Sequence, residues 1–223
     1  MIKERVTLSA VKAHPRIQTY LEFGNGHLAA MGFTEHGFRH SGVVAHVAAQ
    51  ILRDLGHSER EVELAAIAGW THDLGNVISR HNHGQSAAMI LMQTLEEMGM
   101  PYAEIAVVTA AIGNHEEQYG QPVNDVAAAL ILADKTDVHR SRVRNRDVAT
   151  YDIHDRVNFA AEKAEVVVDR EQRTITLRLI IDITICPVMD YFEIFLTRMV
   201  MCRRAAERLA CQFSIVVNDA RLL

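Results

Sequence analysis

Apolar residues recur with helical spacing through most of the first 163 positions. In residues 43–55, VVAHVAAQILRDL, Val43, Val47, Ile51 and Leu55 stand four apart and form one stripe of a helix. Gly56 ends it. Ser58 followed by Glu61 is a capping-box pattern, and it opens a helix running toward Trp70. Another helix is predicted from about Gly84 to Met98, with Ala88, Leu91, Leu95 and Met98 inward and Gly99 as its stop. Pro101 suits the first turn of the next, which carries Ile105, Val108 and Ile112. Asn124 or Asp125 can cap a helix over about 126–138, and a short one covers 153–163. The GNG at 24–26 reads as a turn.

Beyond residue 163 the period changes. The β-branched stretches AEVVVD and TITLRLIID flank the polar REQR and read as a hairpin. Pro187 precedes a long amphipathic pattern, MDYFEIFLTRMVMCRRAAERLA, and FSIVVND reads as one more strand. The expected fold class is mainly α. A helical bundle over 1–163 carries a small C-terminal α+β appendage over 164–223, a three-stranded antiparallel sheet plus one long helix. The appendage shows no chemical motif and is expected to serve as a dimerisation element or a lid.

At 223 residues and 49% hydrophobic, the chain can bury a sizeable core. The formal net charge of -5 and the absence of a basic block argue against specific nucleic-acid binding; HRSRVRNRD (139–147) is short and interrupted. No window reaches the roughly 18–20 apolar residues of a membrane span, and the N-terminus lacks the apolar core of a signal peptide. A cytoplasmic protein is expected. Cys186, Cys202 and Cys211 have no metal-ligand spacing and read as reduced thiols.

Twelve histidines are many for this length. His36, His40, His72, Asp73, His81, His83, His115 and Asp134 fall mostly at or near predicted helix ends. Asp134 interrupts the apolar run AAALILAD. A buried carboxylate costs several kcal/mol unless paired or metal-bound. A divalent cation inside the bundle would satisfy these groups together. Imidazole and carboxylate without thiolate suit Mn, Fe, Ni, Co or Zn, with Mg also admitted.

The order His40, then His72-Asp73, then Asp134 resembles the HD-domain metal-dependent phosphohydrolases, and so does the text around it: FRHSGVVAHV, AGWTHDLGN, GNHEEQYGQP and LILADKTDVHRSRVR. The likeness spans roughly residues 35–147. A second HD dipeptide, His154-Asp155, lacks the preceding apolar run and the following Gly; it reads as a helix-cap pair near the surface.

The resemblance implies a helical HD bundle and metal ligands His40, His72, Asp73 and Asp134. Two-metal members add two histidines, matched here by His83 and His115, with Asp73 bridging the ions. His81 is the rival of His83, and His36 is a further candidate. The chain lacks the paired His and the Gly-Tyr-Pro of the subgroup that cleaves cyclic di-GMP, and Asn76 stands where a Lys often follows the His-Asp pair.

The implied activity is hydrolysis of a phosphomonoester or phosphodiester of a small molecule, a nucleotide first among candidates, by metal-activated hydroxide. Asp73, Glu116 and Lys135 are the expected catalytic residues. Glu116 would steer water or accept from a ligand His. Lys135, Arg142 and Arg144 would meet phosphate. A homodimer is expected. The rival readings are a regulatory ligand-sensing module and a di-iron oxygenase on the same ligands.

Overall fold

The computed structural model describes residues 5–222. Helices α1 (Leu8–Ala13), α2 (Pro15–Ala30), α3 (Phe38–Leu55), α4 (Glu59–Thr71), α5 (His83–Glu97), α6 (Tyr102–Gly113) and α7 (Asp125–Lys135) lead to α8 (Ile153–Ala160). Strands β1 (Ala161–Asp169) and β2 (Thr174–Ile181), helix α9 (Val188–Arg208), and strands β3 (Gln212–Val217) and β4 (Ala220–Arg221) complete the chain.

The local chemistry sets most boundaries. Both halves of the capping box form at Ser58 and Glu61. The Asn124 side chain accepts from the Ala127 amide at 2.7 Å and starts α7. That helix stops at Lys135, earlier than expected, and at its end the Thr136 hydroxyl bonds back to the Leu132 carbonyl at 2.5 Å. Pro101 caps α6 rather than entering its first turn. On α3 the buried face is His40, Val44, Ala48, Ile51 and Leu55. Val43 and Val47 are turned toward β1, where they line a cleft with Ala164, Val166 and Val168.

The GNG is not a turn. It lies inside α2, and Gly24 is there because the helix presses on the segment after the His-Asp pair. A Cβ on Gly24 would stand 3.0 Å from the Val77 nitrogen.

The sheet has four strands in the order β1-β2-β3-β4 and is mixed, not three-stranded and antiparallel. The β1–β2 hairpin is antiparallel, as expected. β3 runs parallel to β2, from Thr174↔Gln212 to Leu179↔Val217. Helix α9 carries the chain back to the end where β2 began, which is the crossover a parallel neighbour needs. β4 is a short antiparallel addition to β3. Ile175, Leu177, Ile215, Tyr191, Phe195 and Cys202 join the same buried apolar cluster as the helical residues Leu130 and Ile131. The C-terminal part is therefore packed onto the bundle, with α9 against α7.

Candidate metal centre

Six side chains meet where five helices end. His40 lies in the first turn of α3, His72 and Asp73 directly follow α4, His83 opens α5, His115 follows α6, and Asp134 closes α7. After Asp73 the chain makes a 3-10 turn, Leu74–Val77. Asn76 Nδ2 closes it by donating to the Asp73 carbonyl (3.0 Å) and to Asp73 Oδ1 (2.8 Å). Gly75 lets the start of α5 press on this turn; a Cβ there would lie 1.9 Å from the His83 carbonyl oxygen. That close approach sets His83 against Asp73.

The rings are aimed by bonds on their outer nitrogens. Nδ1 of His72 meets the Gly69 carbonyl (2.9 Å), Nδ1 of His83 the Arg80 carbonyl (3.1 Å), and Nδ1 of His115 the Ile112 carbonyl (2.6 Å). Nδ1 of His40 meets Asp137 Oδ2 at 2.7 Å. Carbonyls and carboxylates only accept, so each Nδ1 carries the proton and each neutral ring keeps a lone pair on Nε2. Those lone pairs face one another in two places: His40 Nε2 to His72 Nε2 at 3.2 Å, and His83 Nε2 to His115 Nε2 at 3.1 Å. Facing lone pairs repel unless a cation or a proton lies between them.

Asp73 spans the two places. Its Oδ2 is 3.6 Å from His40 Nε2 and 3.4 Å from His72 Nε2, and its Oδ1 is 3.3 Å from His83 Nε2. Oδ2 is buried with no hydrogen-bond partner. Asp134 Oδ1 stands 3.3 Å from His40 Nε2 and 3.7 Å from His72 Nε2. The triads His40–His72–Asp134 and His72–Asp73–His115 each have one ligand atom per residue within 4.8 Å of the others. Nitrogen and oxygen donors, an orphaned carboxylate oxygen and paired lone pairs together fit divalent metal.

The electrostatics agree. Burial alone would raise the Asp73 carboxyl, but the facing His72 and His83 rings hold it well below the usual range. Asp134 is partly buried and likewise held well below it by Lys135, His40 and His72. Burial lowers His83, yet Asp73 and Glu116 outweigh it and raise the ring to about 9. Burial and its imidazole neighbours depress His115 to about 3. The two opposite shifts fit one proton shared between the facing His83 and His115 nitrogens.

The remaining expected residues divide. Lys135 is at the cluster, with Nζ 2.7 Å from Asp134 Oδ2 and 3.3 Å from Glu117 Oε1. Glu116 sits behind His83: Oε2 is 3.2 Å from Nδ1, while Oε1 accepts from the Gly84 amide at 2.8 Å. Its carboxyl is buried yet lowered to about 2, chiefly by His83. Arg142 is buried and donates to the Glu35 and Asp137 carbonyls, so its guanidinium braces the backbone. Arg144 is bonded to the Asn25 side chain, away from the six. His83, not His81, enters the cluster; His81 is exposed. The His36 ring lies 5.4 Å from that of His40 but bonds the Thr34 carbonyl through Nδ1. Asp152, not the His154-Asp155 pair, caps α8; the pair does lie near the surface, with His154 exposed and Asp155 half-buried in the wall of a cleft.

Sequence reasoning missed several groups. Asp137 orients His40 and holds Arg39 through two bonds, 2.8 and 3.0 Å. Arg80 Nη1 reaches within 4.0 Å of Asp73 Oδ1. Glu117 joins Lys135 to Arg198 of α9. The DKTD text does offer Asp137 one turn past Asp134, and that spacing could have flagged it; Arg80 and Arg198 carry no such signal.

Fold and centre together define a helical, His/Asp-lined metal-binding domain. Residues 37–139 match the family model described as HD domain, and all six clustered residues lie within that span. Residues 37–139 thus resemble HD domains, a family made up mostly of metal-dependent phosphohydrolases. The chain is also similar to an uncharacterized protein of Methanocaldococcus jannaschii, MJ1020, at 24% identity over 174 residues, covering 68% of this chain and 67% of that one. No helix among the described residues is long and apolar enough to cross a membrane.

Proposed function

We propose that this protein is a two-metal phosphohydrolase that cleaves a phosphomonoester or phosphodiester of a small molecule, with nucleotides the first class to test. The observation that carries this reading is the division of Asp73 between two pairs of inward-facing imidazoles, His40/His72 and His83/His115. His40, His72, Asp73 and Asp134 would hold one ion, and Asp73, His83 and His115 the other. Ions such as Mn, Fe, Ni, Co or Zn would neutralise phosphoryl oxygens and lower the pKa of water toward ~7.

The protein's own groups supply the rest. Asp73 orients the attacking water. Lys135 brings a positive charge beside Asp134 to receive developing phosphoryl charge. Glu116 and Asp137 fix the rings of His83 and His40, the role of carboxylates behind ligand histidines. Three free, buried cysteines support cytoplasmic residence, and dimerisation through the C-terminal unit belongs to the same proposal.

The test is metal content followed by phosphate release from a phosphoester panel with Mn²⁺, beside oxygen uptake with Fe²⁺. Release that stops with chelator and with Asp73→Ala supports the reading. Oxygen consumption without phosphate release would replace it with the oxygenase. A metal-free, inactive protein would replace it with the regulatory module.

A further inference from the structure

A cleft of about 230 Å³ adjoins the metal cluster. His36, Arg80 and Arg142 contribute to its lining, α9 adds Arg198, and the start of α8 adds Asp152 and Asp155. The cleft and the cluster share neighbours: Arg80 comes within 4.0 Å of Asp73, and His36 stacks edgewise on His40. Charges of both signs line this one space. Among the described residues, no ion pair within 4.0 Å joins Asp152 or Asp155 to any of the three arginines. The cleft therefore presents cationic and anionic groups that do not neutralise each other directly.

Arg198 is built for an anion. Its Nε forms an ion pair with Glu117 at 2.9 Å, and its guanidinium lies 4.4 Å from the Phe195 ring centroid. Glu117 also meets Lys135, which meets Asp134, so Arg198 is tied in fixed register to the metal cluster. Its two terminal amino groups have no protein partner among the described residues. A guanidinium so held offers two parallel donors, the fork that matches phosphate. Arg80 is half-committed, with one 3.5 Å contact to Asn76.

We propose that this cleft is the substrate pocket and that Arg198, with Arg80, receives the phosphate of a phosphomonoester no larger than a mononucleotide. Asp155 receives a hydrogen-bond donor, a hydroxyl or an amine, on the organic part. The volume supports that size class, since it lies below the roughly 300–1,000 Å³ of drug-sized pockets. This inference rests on the phosphohydrolase reading and narrows it. It also gives the C-terminal unit a role in the site, because Arg198 lies outside the matched span.

The experiment titrates inorganic phosphate into the full-length protein, with and without Mn²⁺, for wild type, Arg198→Met, Arg198→Lys and Asp155→Asn. KM is measured in parallel for glycerol phosphate and for p-nitrophenyl phosphate, which lacks donors. Arg198→Met is expected to weaken phosphate about tenfold or more at unchanged Mn²⁺ content, with Arg198→Lys in between. Asp155→Asn is expected to leave phosphate binding alone and to cut the preference for glycerol phosphate about threefold or more. Phosphate binding that depends on Arg198 without cleavage of any ester would keep the pocket and remove the hydrolase. Equal phosphate affinity in wild type and Arg198→Met, or no phosphate binding in wild type, would overturn the pocket even if esters are cleaved.

Discussion

Asp137→Asn keeps the size of a buried side chain and removes its charge. The carboxylate accepts from His40 Nδ1 at 2.7 Å and from two Arg39 nitrogens at 2.8 and 3.0 Å. An amide has one acceptor oxygen, and its NH₂ would face a donor on one side or the other. The lost bond to buried His40 is worth about 1.5–3 kcal/mol as a charge-assisted hydrogen bond. Arg39 is 32% exposed, so solvent screening holds its share below about 1 kcal/mol. The sum, about 2–4 kcal/mol, lowers Tm by about 5–15 °C for a chain of this size. His40 also loses the group that fixes its tautomer, which costs about 10–100-fold in metal affinity. Thermal denaturation of metal-free protein reads the first effect and Mn²⁺ titration by electron paramagnetic resonance the second. An unchanged Mn²⁺ affinity beside a lowered Tm would show that Asp137 stabilises the fold without orienting a ligand.

Further outcomes follow from the same geometry. Mn²⁺ affinity should climb as pH rises from about 6.5 to about 9, because the His83 proton must leave before the ring can ligate; a flat calorimetric profile would contradict this. Metal-free protein should lose stability over the same rise. The His83 pKa is raised in the folded state, so its contribution is complete below the unfolded value and fades through about 9. Acidification should destabilise it as well, since His115 is depressed to about 3 and the unfolded chain takes up the proton first. Gly75→Ala should cost about 3 kcal/mol or more in urea denaturation, since its Cβ would lie 1.9 Å from backbone oxygen that α5 cannot move without displacing His83. Asp73→Ala should abolish metal binding and turnover, whereas Asp155→Ala should keep its metal.

The six clustered residues were legible because their order along the chain is a constraint in itself, each at the end of an apolar helix. The residues that aim them were less so. Asp137 reaches His40 across 97 positions, and Arg198 reaches the site only because α9 packs on α7. The C-terminal sheet went astray at one point. FSIVV alone pairs equally well in either direction, and the long helical connection before it permits a parallel neighbour, which a short turn would not. The GNG misled because Gly24 answers to a neighbour far along the chain, not to a local turn.

The central claim is that Asp73 lies between two cations. Anomalous diffraction from crystals grown with Mn²⁺ tests it most directly. The account predicts two peaks, one among His40, His72 and Asp134 and one between His83 and His115, with an Asp73 oxygen facing each. A single peak away from Asp73, or none in protein that has Mn²⁺ bound elsewhere, would contradict it.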